Sequence, residues 1–351
     1  MLKTKKSNTN LKPLKKPEYK PDYKALFSQI GNILIQSKKI AYQSVNSILT
    51  TTYWQIGKEI IEFEQGGKNR AEYGESTIKQ LSDDLTRQFG KGFSYRNLQQ
   101  IKKFYSCFEK VQTVSAQSFP LSWSHYVRLI SITNPSERSF YEIEAIQNQW
   151  SVRELNRQFD SSLYERLALS KDKKGVKKLA TKGQIIEKPQ DLFKEPYILE
   201  FLGLSERDNY SESDLETAII NNLEHFLLEL GKGFTFVSRQ KRITSGVKHF
   251  YIDLVFYNRL LKCFVLIDLK IGELKHQDIG QMQMYVNYFD QNQKAKEENP
   301  TIGIVLCKEK DDFVVKYTLP KDNKQIFAKQ YQLYLPKKEE LIEQIKMVEC
   351  S

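Results

Sequence analysis

The sequence predicts an all-α N-terminal half followed by an α/β half with a mixed sheet, α+β for the chain as a whole. Three observations carry this. Apolar residues recur at spacings of three and four from about Tyr23 to Arg166, with no strand-like alternation. After about Pro196, short apolar runs rich in β-branched and aromatic residues replace that period. Between the two lies ALSKDKKGVKKLATKGQIIEKPQ, with seven lysines and little apolar content. The expected organisation is a disordered basic tail over 1–24, a helical domain over 25–166, a lysine-rich linker or charged hairpin over 167–190, a sheet domain over 191–340 and a helix end over 341–351.

The helical elements follow from their punctuation. Leu26, Ile30, Ile33 and Leu34, then Ile56, Ile60, Ile61 and Phe63, mark helix up to a break at Gly66-Gly67. The pattern resumes at Thr77-Ile78 and stops at Gly90-Lys91-Gly92. Ser94 then reads as an N-cap for a helix from Tyr95 to Tyr105. Pro120 and Pro135 open two more helices, and Ser151 caps the last. Trp54, Trp123 and Trp150, widely spaced, read as core. In the second half, Ser213 with Glu216 three residues on resembles a capping box for a helix ending at Gly231. Strands are expected at Phe234–Ile243, His249–Tyr257 and Lys262–Lys270. A helix over Gln277–Phe289 and a strand over Thr301–Leu306 complete an α-β-β-β-α-β core. Phe313–Thr318 and Tyr331–Leu335 read as further strands before a final helix.

Composition bounds the function. The 351 residues carry a net charge of +11, with 40% hydrophobic and 28% charged residues. That is the balance of a globular chain, not of a disordered or collagenous one. No apolar run approaches the roughly 20 residues of a spanning helix, so no membrane role is expected. No apolar stretch follows the basic start MLKTKKSNTN, so a cytoplasmic location is expected. Cys107, Cys263, Cys307 and Cys350 show no paired CxxC spacing and read as reduced thiols. The first 24 residues hold eight lysines against Glu18 and Asp22. Such a tail either slides on a polyanion or serves solubility.

LSDDLTRQF, GKG and FSYRNLQQIKKFY outline two helices about a glycine turn, as in a helix-turn-helix. Its second helix would offer Arg96, Gln99, Lys102 and Lys103 to nucleic acid. Any helical hairpin in a bundle shares that outline.

Catalytic chemistry is concentrated in HFYIDLVFYNRLLKCFVLIDLKIGE. Two strands apolar on both faces each carry one aspartate, Asp253 and Asp268. A buried carboxylate without a partner is costly. If the loop between the strands centres between Arg259 and Leu260, or one residue later, Asp253, Asp268 and Lys270 share a face. The later centring sets Asp253 opposite Asp268; a loop with a single central residue separates them. Two carboxylates this close repel, and a divalent cation resolves the repulsion, magnesium or manganese suiting hard oxygen ligands. Lys270 on the same face can hold the attacking water or offset charge developing on phosphorus. The inferred chemistry is phosphodiester hydrolysis.

Ile252-Asp253, a spacer and Asp268-Leu269-Lys270 resemble the PD-(D/E)xK motif of restriction-like nucleases, and Gln281-Met282-Gln283-Met284-Tyr285 resembles the QxxxY motif of a subset of them. FLLELGKGFTFVSRQ, FYIDLVFYN, LKIGE, GQMQMYVNY and NPTIGIVLCK look like the YhcG family. So do the N-terminal stretches YWQIGKEII, AEYGESTIKQLSDDLTRQFGKGFS and LSWSHY. The resemblance covers roughly residues 25–340. It implies a restriction-endonuclease-like fold and a metal-dependent nuclease, most readily an endonuclease on DNA in recombination, repair or defence. Asp253 and Asp268 would be metal ligands, Lys270 the catalytic lysine, and Gln281 and Tyr285 would position substrate or metal. Where this chain has Asp268, related members usually have glutamate; the motif admits either. An acid on the fold's first helix often completes the metal site, with Glu216, Glu224 and Glu229 as candidates. Glu229 is favoured because it stands at the helix end against the first strand. The resemblance also admits a homodimer, a protein partner docked on the helical domain, and, as the rival reading, a weak or inactive nucleic-acid-binding or partner-docking protein on a nuclease fold.

Overall fold

The computed structural model describes residues 23–66, 72–109, 119–171, 173–204, 210–245 and 247–350. Of the expected basic tail, only Tyr23 and Lys24 fall within these, at the start of the first helix. Helices α1 (Tyr23–Gly66), α2 (Glu72–Phe89), α3 (Tyr95–Cys107), α4 (Trp123–Leu129), α5 (Pro135–Gln147), α6 (Val152–Asp160) and α7 (Leu163–Leu169) build the N-terminal half. Their ends follow local chemistry. Gly90 and Gly92 take left-handed backbone between α2 and α3. Ser94 accepts the Asn97 N–H, Asn134 accepts those of Ser136 and Glu137, and Ser151 forms a reciprocal capping box with Glu154. At Gly57 a Cβ would stand 2.6 Å from the Ile101 carbonyl oxygen, so only glycine lets α1 cross α3 backbone to backbone. Trp54 and Trp150 are buried in an aromatic core with Phe104, Tyr126 and Phe140, and Trp123 lies partly buried at its edge.

The lysine-rich segment read as a linker or hairpin is helical over Lys173–Lys182 (α8). Val176 and Leu179, three residues apart, put one apolar stripe on the helical core while the lysines stay outside.

The second half is a six-stranded mixed sheet of β1 (Tyr197–Ile198), β2 (Phe234–Ser245), β3 (Lys248–Asn258), β4 (Cys263–Glu273), β5 (Ile302–Glu309) and β6 (Ile326–Gln332), in the order β1-β6-β5-β4-β3-β2. β2, β3 and β4 pair antiparallel; β4, β5, β6 and β1 pair parallel. Helices α9 (Glu212–Asn221) and α10 (Leu223–Leu230) cover one face through Leu215, Ile219 and Phe226. Helix α11 (His276–Asn292) covers the other through Ile279, Met282, Val286 and Phe289. A Cβ on Gly303 of β5 would come within 2.5 Å of Met282, so glycine sets how closely α11 seats.

Three expectations change here. The helix expected as one piece breaks at Asn222, and its N-cap is Ser211, boxed with Asp214, not Ser213 with Glu216. Phe313–Thr318 is not a strand but lies in helix α12 (Asp312–Thr318), because the Asp311 carboxylate accepts the N–H groups of Phe313 and Val314 and nucleates a turn. The strand expected over Tyr331–Leu335 ends at Gln332, its body lying upstream in β6.

Glu229, favoured as a metal ligand, is used elsewhere. It is fully buried on α10, where Arg166 Nη1 of α7 lies 2.6 Å from Oε1 and Arg157 Nη1 of α6 lies 3.4 Å from Oε2. The Ile198 N–H donates to Oε1 at 3.0 Å. Burial alone would raise its pKa, but Arg166, Lys194 and Arg157 outweigh that and hold it at about 2. The same cluster depresses Lys194 to about 7, burial being the main cause. Glu229 is therefore the counter-ion that joins the two halves. Lys232, bonded to Glu144 at 2.8 Å, adds a second tie. Helix α13 (Lys338–Cys350) adds a third, returning to α7 with Lys338 Nζ 3.1 Å from Glu165. Among the described residues, Cys107, Cys263 and Cys307 are free thiols, and no helix is long and apolar enough to cross a membrane.

Replacing Glu229 with glutamine leaves Arg166 buried without its counter-charge, and should cost about 3–5 kcal/mol in urea unfolding at neutral pH. Its folded pKa lies below the ordinary 4.5, so the ionised carboxylate stabilises the fold above about pH 4.5. That stabilisation should drain away as pH falls toward about 2, and the pH dependence of Glu229→Gln should lack this component.

Candidate active site

β3 and β4 pair from Asn258↔Cys263 to Leu254↔Ile267, the register of the later-centred loop. The next position would oppose Asp253 to Asp268, but backbone pairing ends there. The Asp253 side chain enters the gap instead, and its Oδ2 accepts the Leu269 N–H at 2.8 Å. On β4, Val265, Ile267 and Leu269 point into the core beneath α9 and α10, so Leu266, Asp268 and Lys270 alternate toward α11.

Asp268 is almost fully buried, with Lys270 Nζ 2.8 Å from its Oδ2. Burial, reinforced by the charge of Asp253, pushes the Asp268 carboxyl up to about 6 against the pull of Lys270. Burial works against the charge of Lys270 too, but Asp268 and then Glu212 outweigh it and raise its pKa. Lys270 therefore keeps its ammonium form beside Asp268 at neutral pH.

Helix α9 supplies two acids one turn apart. Glu212 lies 3.5 Å from Lys270 Nζ, and buried Glu216 lies 3.0 Å from Arg239 Nε. The Gln240 side-chain amide donates both to Glu216 and to Asp253 Oδ1, the latter at 3.0 Å. Gln240 sits at φ +47°, left-handed backbone that a glutamine seldom adopts. On α11, Gln281 donates to the Tyr285 hydroxyl, which donates to the Tyr251 carbonyl at 2.8 Å. The pair therefore staples α11 to β3 two residues before Asp253.

Two parts of the sequence match known families: residues 29–166 match the DUF1016 N-terminal domain, and residues 190–346 match the YhcG PDDEXK nuclease domain. The YhcG protein of Escherichia coli (strain K12) is 39% identical over 352 residues, covering 92% of this chain and 93% of that protein. The chain belongs to the YhcG family. Among solved structures, a repair endonuclease from Pyrococcus abyssi is similar at 18% identity, over 38% of this chain and 50% of its own, with a TM-score of 0.26. EndoMS in complex with double-stranded DNA is similar at 14% identity, over 38% and 51%, with the same TM-score. The chain spans about half the length of these two.

Against the family's motifs, the structure brings Asp253, Asp268 and Lys270 to one point and sets Gln281 and Tyr285 behind them. It does not bring Glu229 there. The α9 acid that converges with Asp253 is Glu216, which the sequence had seemed to commit to capping. Glu212 and Glu216, four apart and flanking inward Leu215, carried the signal. Gln240 left no signal in the sequence, because only its backbone conformation singles it out.

In the helix-turn-helix-like segment, α3 buries Leu98, Ile101 and Phe104. Arg96 and Lys103 are exposed. Lys102 and Gln99 are not free for nucleic acid as expected: Lys102 pairs with Glu64 of α1 at 2.5 Å, and Gln99 donates to the Tyr95 hydroxyl at 3.1 Å. Both point back along their own half, where nearer partners satisfy them.

Removing the Tyr285 hydroxyl should strand the Gln281 amide and the Tyr251 carbonyl together. Tyr285→Phe is expected to lose about 1–2 kcal/mol of stability in urea unfolding, measured without metal.

Proposed function

We propose that the chain is a metal-dependent endonuclease that hydrolyses phosphodiester bonds in DNA. One observation carries the reading: two carboxylates and a charged lysine meet where β3 and β4 part. The donor chemistry fits a hard divalent cation. Glu216 and Asp253 both aim at a single amide nitrogen of Gln240, and Asp268 is buried with Lys270 Nζ 2.8 Å from its Oδ2. Among the described residues, no group of three or more histidine, cysteine, aspartate or glutamate side chains is placed to hold a metal ion, so the site offers a pair of carboxylates. An open site of few carboxylates is what magnesium or manganese takes, keeping room for water and a phosphate.

Asp253 and Asp268 would hold the ion, with Glu216 joined to Asp253 through the Gln240 amide. When bound, such an ion activates water and neutralises charge on the scissile phosphate. The protein's own part is positional. Lys270, kept charged by Asp268 and Glu212, can orient the attacking water and offset charge building on phosphorus. Leu269 N–H and Gln240 fix both oxygens of Asp253, so its carboxylate needs no reorganisation. Gln281 and Tyr285 hold β3 at the height of the site. The free thiols support action in a reducing, cytoplasmic compartment.

A partner-docking role for the helical half is supported by one observation besides. Tyr23, Leu26, Phe27, Ile30, Ile33 and Leu34 of α1 are all exposed, a wide apolar stripe on one long helix.

Asp253→Ala and Lys270→Ala should each abolish cleavage of plasmid and oligonucleotide DNA in magnesium or manganese while keeping the wild-type circular dichroism. Wild-type rates in both variants would sink the assignment.

A further inference from the structure

The hairpin that carries Asp253 extends beyond the sheet. β3 leaves β4 after Leu254, but its pairing with β2 continues from Lys241↔Ile252 to Ser245↔Lys248. These pairs form a two-stranded ribbon of roughly 17 Å at about 3.4 Å per residue. Its inner row, Ile243, Phe250 and Ile252, rests with Ile279 and Met282 of α11. Its outer row holds the cross-strand pairs Thr244↔His249 and Arg242↔Tyr251, and in the same register the next position sets Gln240 beside Asp253. Exposure follows the alternation: His249 and Tyr251 are exposed and Asp253 half-buried, while Ile252 and Leu254 are buried. The row therefore leads straight to the proposed catalytic carboxylate.

Its chemistry is one-sided. From Phe234 to Ile252 the sequence holds Arg239, Lys241, Arg242 and Lys248 and no acid. Glu216 takes the charge of Arg239. Among the described residues, no carboxylate pairs with Lys241, Arg242 or Lys248, all three exposed. The Arg242 guanidinium lies 3.0 Å from the His249 ring, and Thr244 Oγ1 lies 3.2 Å from His249 Nδ1, which braces the arginine on the ribbon. Tyr251, 46% exposed between them, is anchored through its carbonyl to Tyr285, so its ring stands on fixed backbone. An arginine without an acid partner beside a fixed aromatic ring suits a polynucleotide whose bases are unstacked, and Lys241 and Lys248, in register with the inner row, add positive charge to the same ribbon. A duplex keeps its bases stacked and would leave the ring unused.

We infer that this ribbon is a binding track for single-stranded DNA, with Tyr251 stacked under a base, Arg242 beside it on a phosphate, and Lys241 and Lys248 attracting the backbone from the ribbon's other row, feeding the strand to Asp253. The destination of the strand rests on the nuclease reading; the track itself does not.

The test is fluorescence anisotropy of a labelled single-stranded DNA oligonucleotide with the full chain, in EDTA, over a series of salt concentrations. The variant Lys241→Ala/Arg242→Ala/Lys248→Ala should bind at least about tenfold more weakly at low salt, and its log–log salt slope should flatten by about 2. Tyr251→Ala should weaken binding about tenfold with the slope unchanged, and Tyr251→Phe should restore it. The matching duplex should bind less tightly than the single strand. Wild-type affinity and slope in the triple variant would overturn the track. So would no binding by the wild type, Tyr251→Phe as weak as Tyr251→Ala, or tighter binding of duplex. EDTA removes cleavage, so this outcome is independent of the Asp253→Ala activity assay. Binding along the ribbon with no cutting by the wild type would refute the nuclease and keep the track.

Discussion

The hydrogen bond from the Leu269 N–H to Asp253 Oδ2 is the constraint on which the site rests. It substitutes a side chain for a ladder partner at the point where β3 and β4 separate. Without the separation, Asp253 and Asp268 would face each other across a closed ladder, with no space for substrate between them. Without the bond, a buried N–H would go unmet in the middle of the sheet. A carboxylate is the side chain suited to this: one oxygen closes the sheet and the other is turned to the Gln240 amide and the site. The parting also frees the outer part of β3 to form the ribbon with β2, so the same local event creates both the site and the way into it.

Much of this could be read from the sequence, and for physical reasons. Two strands apolar on both faces, each interrupted by one aspartate, can exist only if the aspartates are compensated, and loop centring fixed how they relate. Side-chain alternation then carried Lys270 along with Asp268. Glu229 shows where such reasoning stops. A buried acid at a helix end next to the first strand has the same local pattern whether it meets a metal or a guanidinium. The decision lay with Arg157 and Arg166, some seventy and sixty residues earlier, and nothing in the spacing connects them. Glu216 was obscured the other way, by an apparent capping role that Asp214 fills. Phe313–Thr318 misled because β-branched and aromatic residues favour strand, whereas one well-placed Asp311 turned the segment helical.

Asp268 bears on the pattern of the site as well. The motif also admits glutamate there, one methylene longer. Here the shorter carboxylate stays deep, and Lys270 reaches it at 2.8 Å. The burial that pushes its pKa up also fixes its direction, so position is gained where reach is given up. Its neighbours compensate from the side: Glu212 shares Lys270, and Gln240 holds Asp253 and Glu216 in one bonded group.

Helix α13 closes on the half of the chain made first. Lys338 is the cation nearest Glu137 and Glu165, two buried acids of α5 and α7. During synthesis these acids lack the Lys338 ammonium until almost the whole polypeptide has left the ribosome. A product truncated before α13 would leave these two acids without the Lys338 cation that the full chain brings back to them.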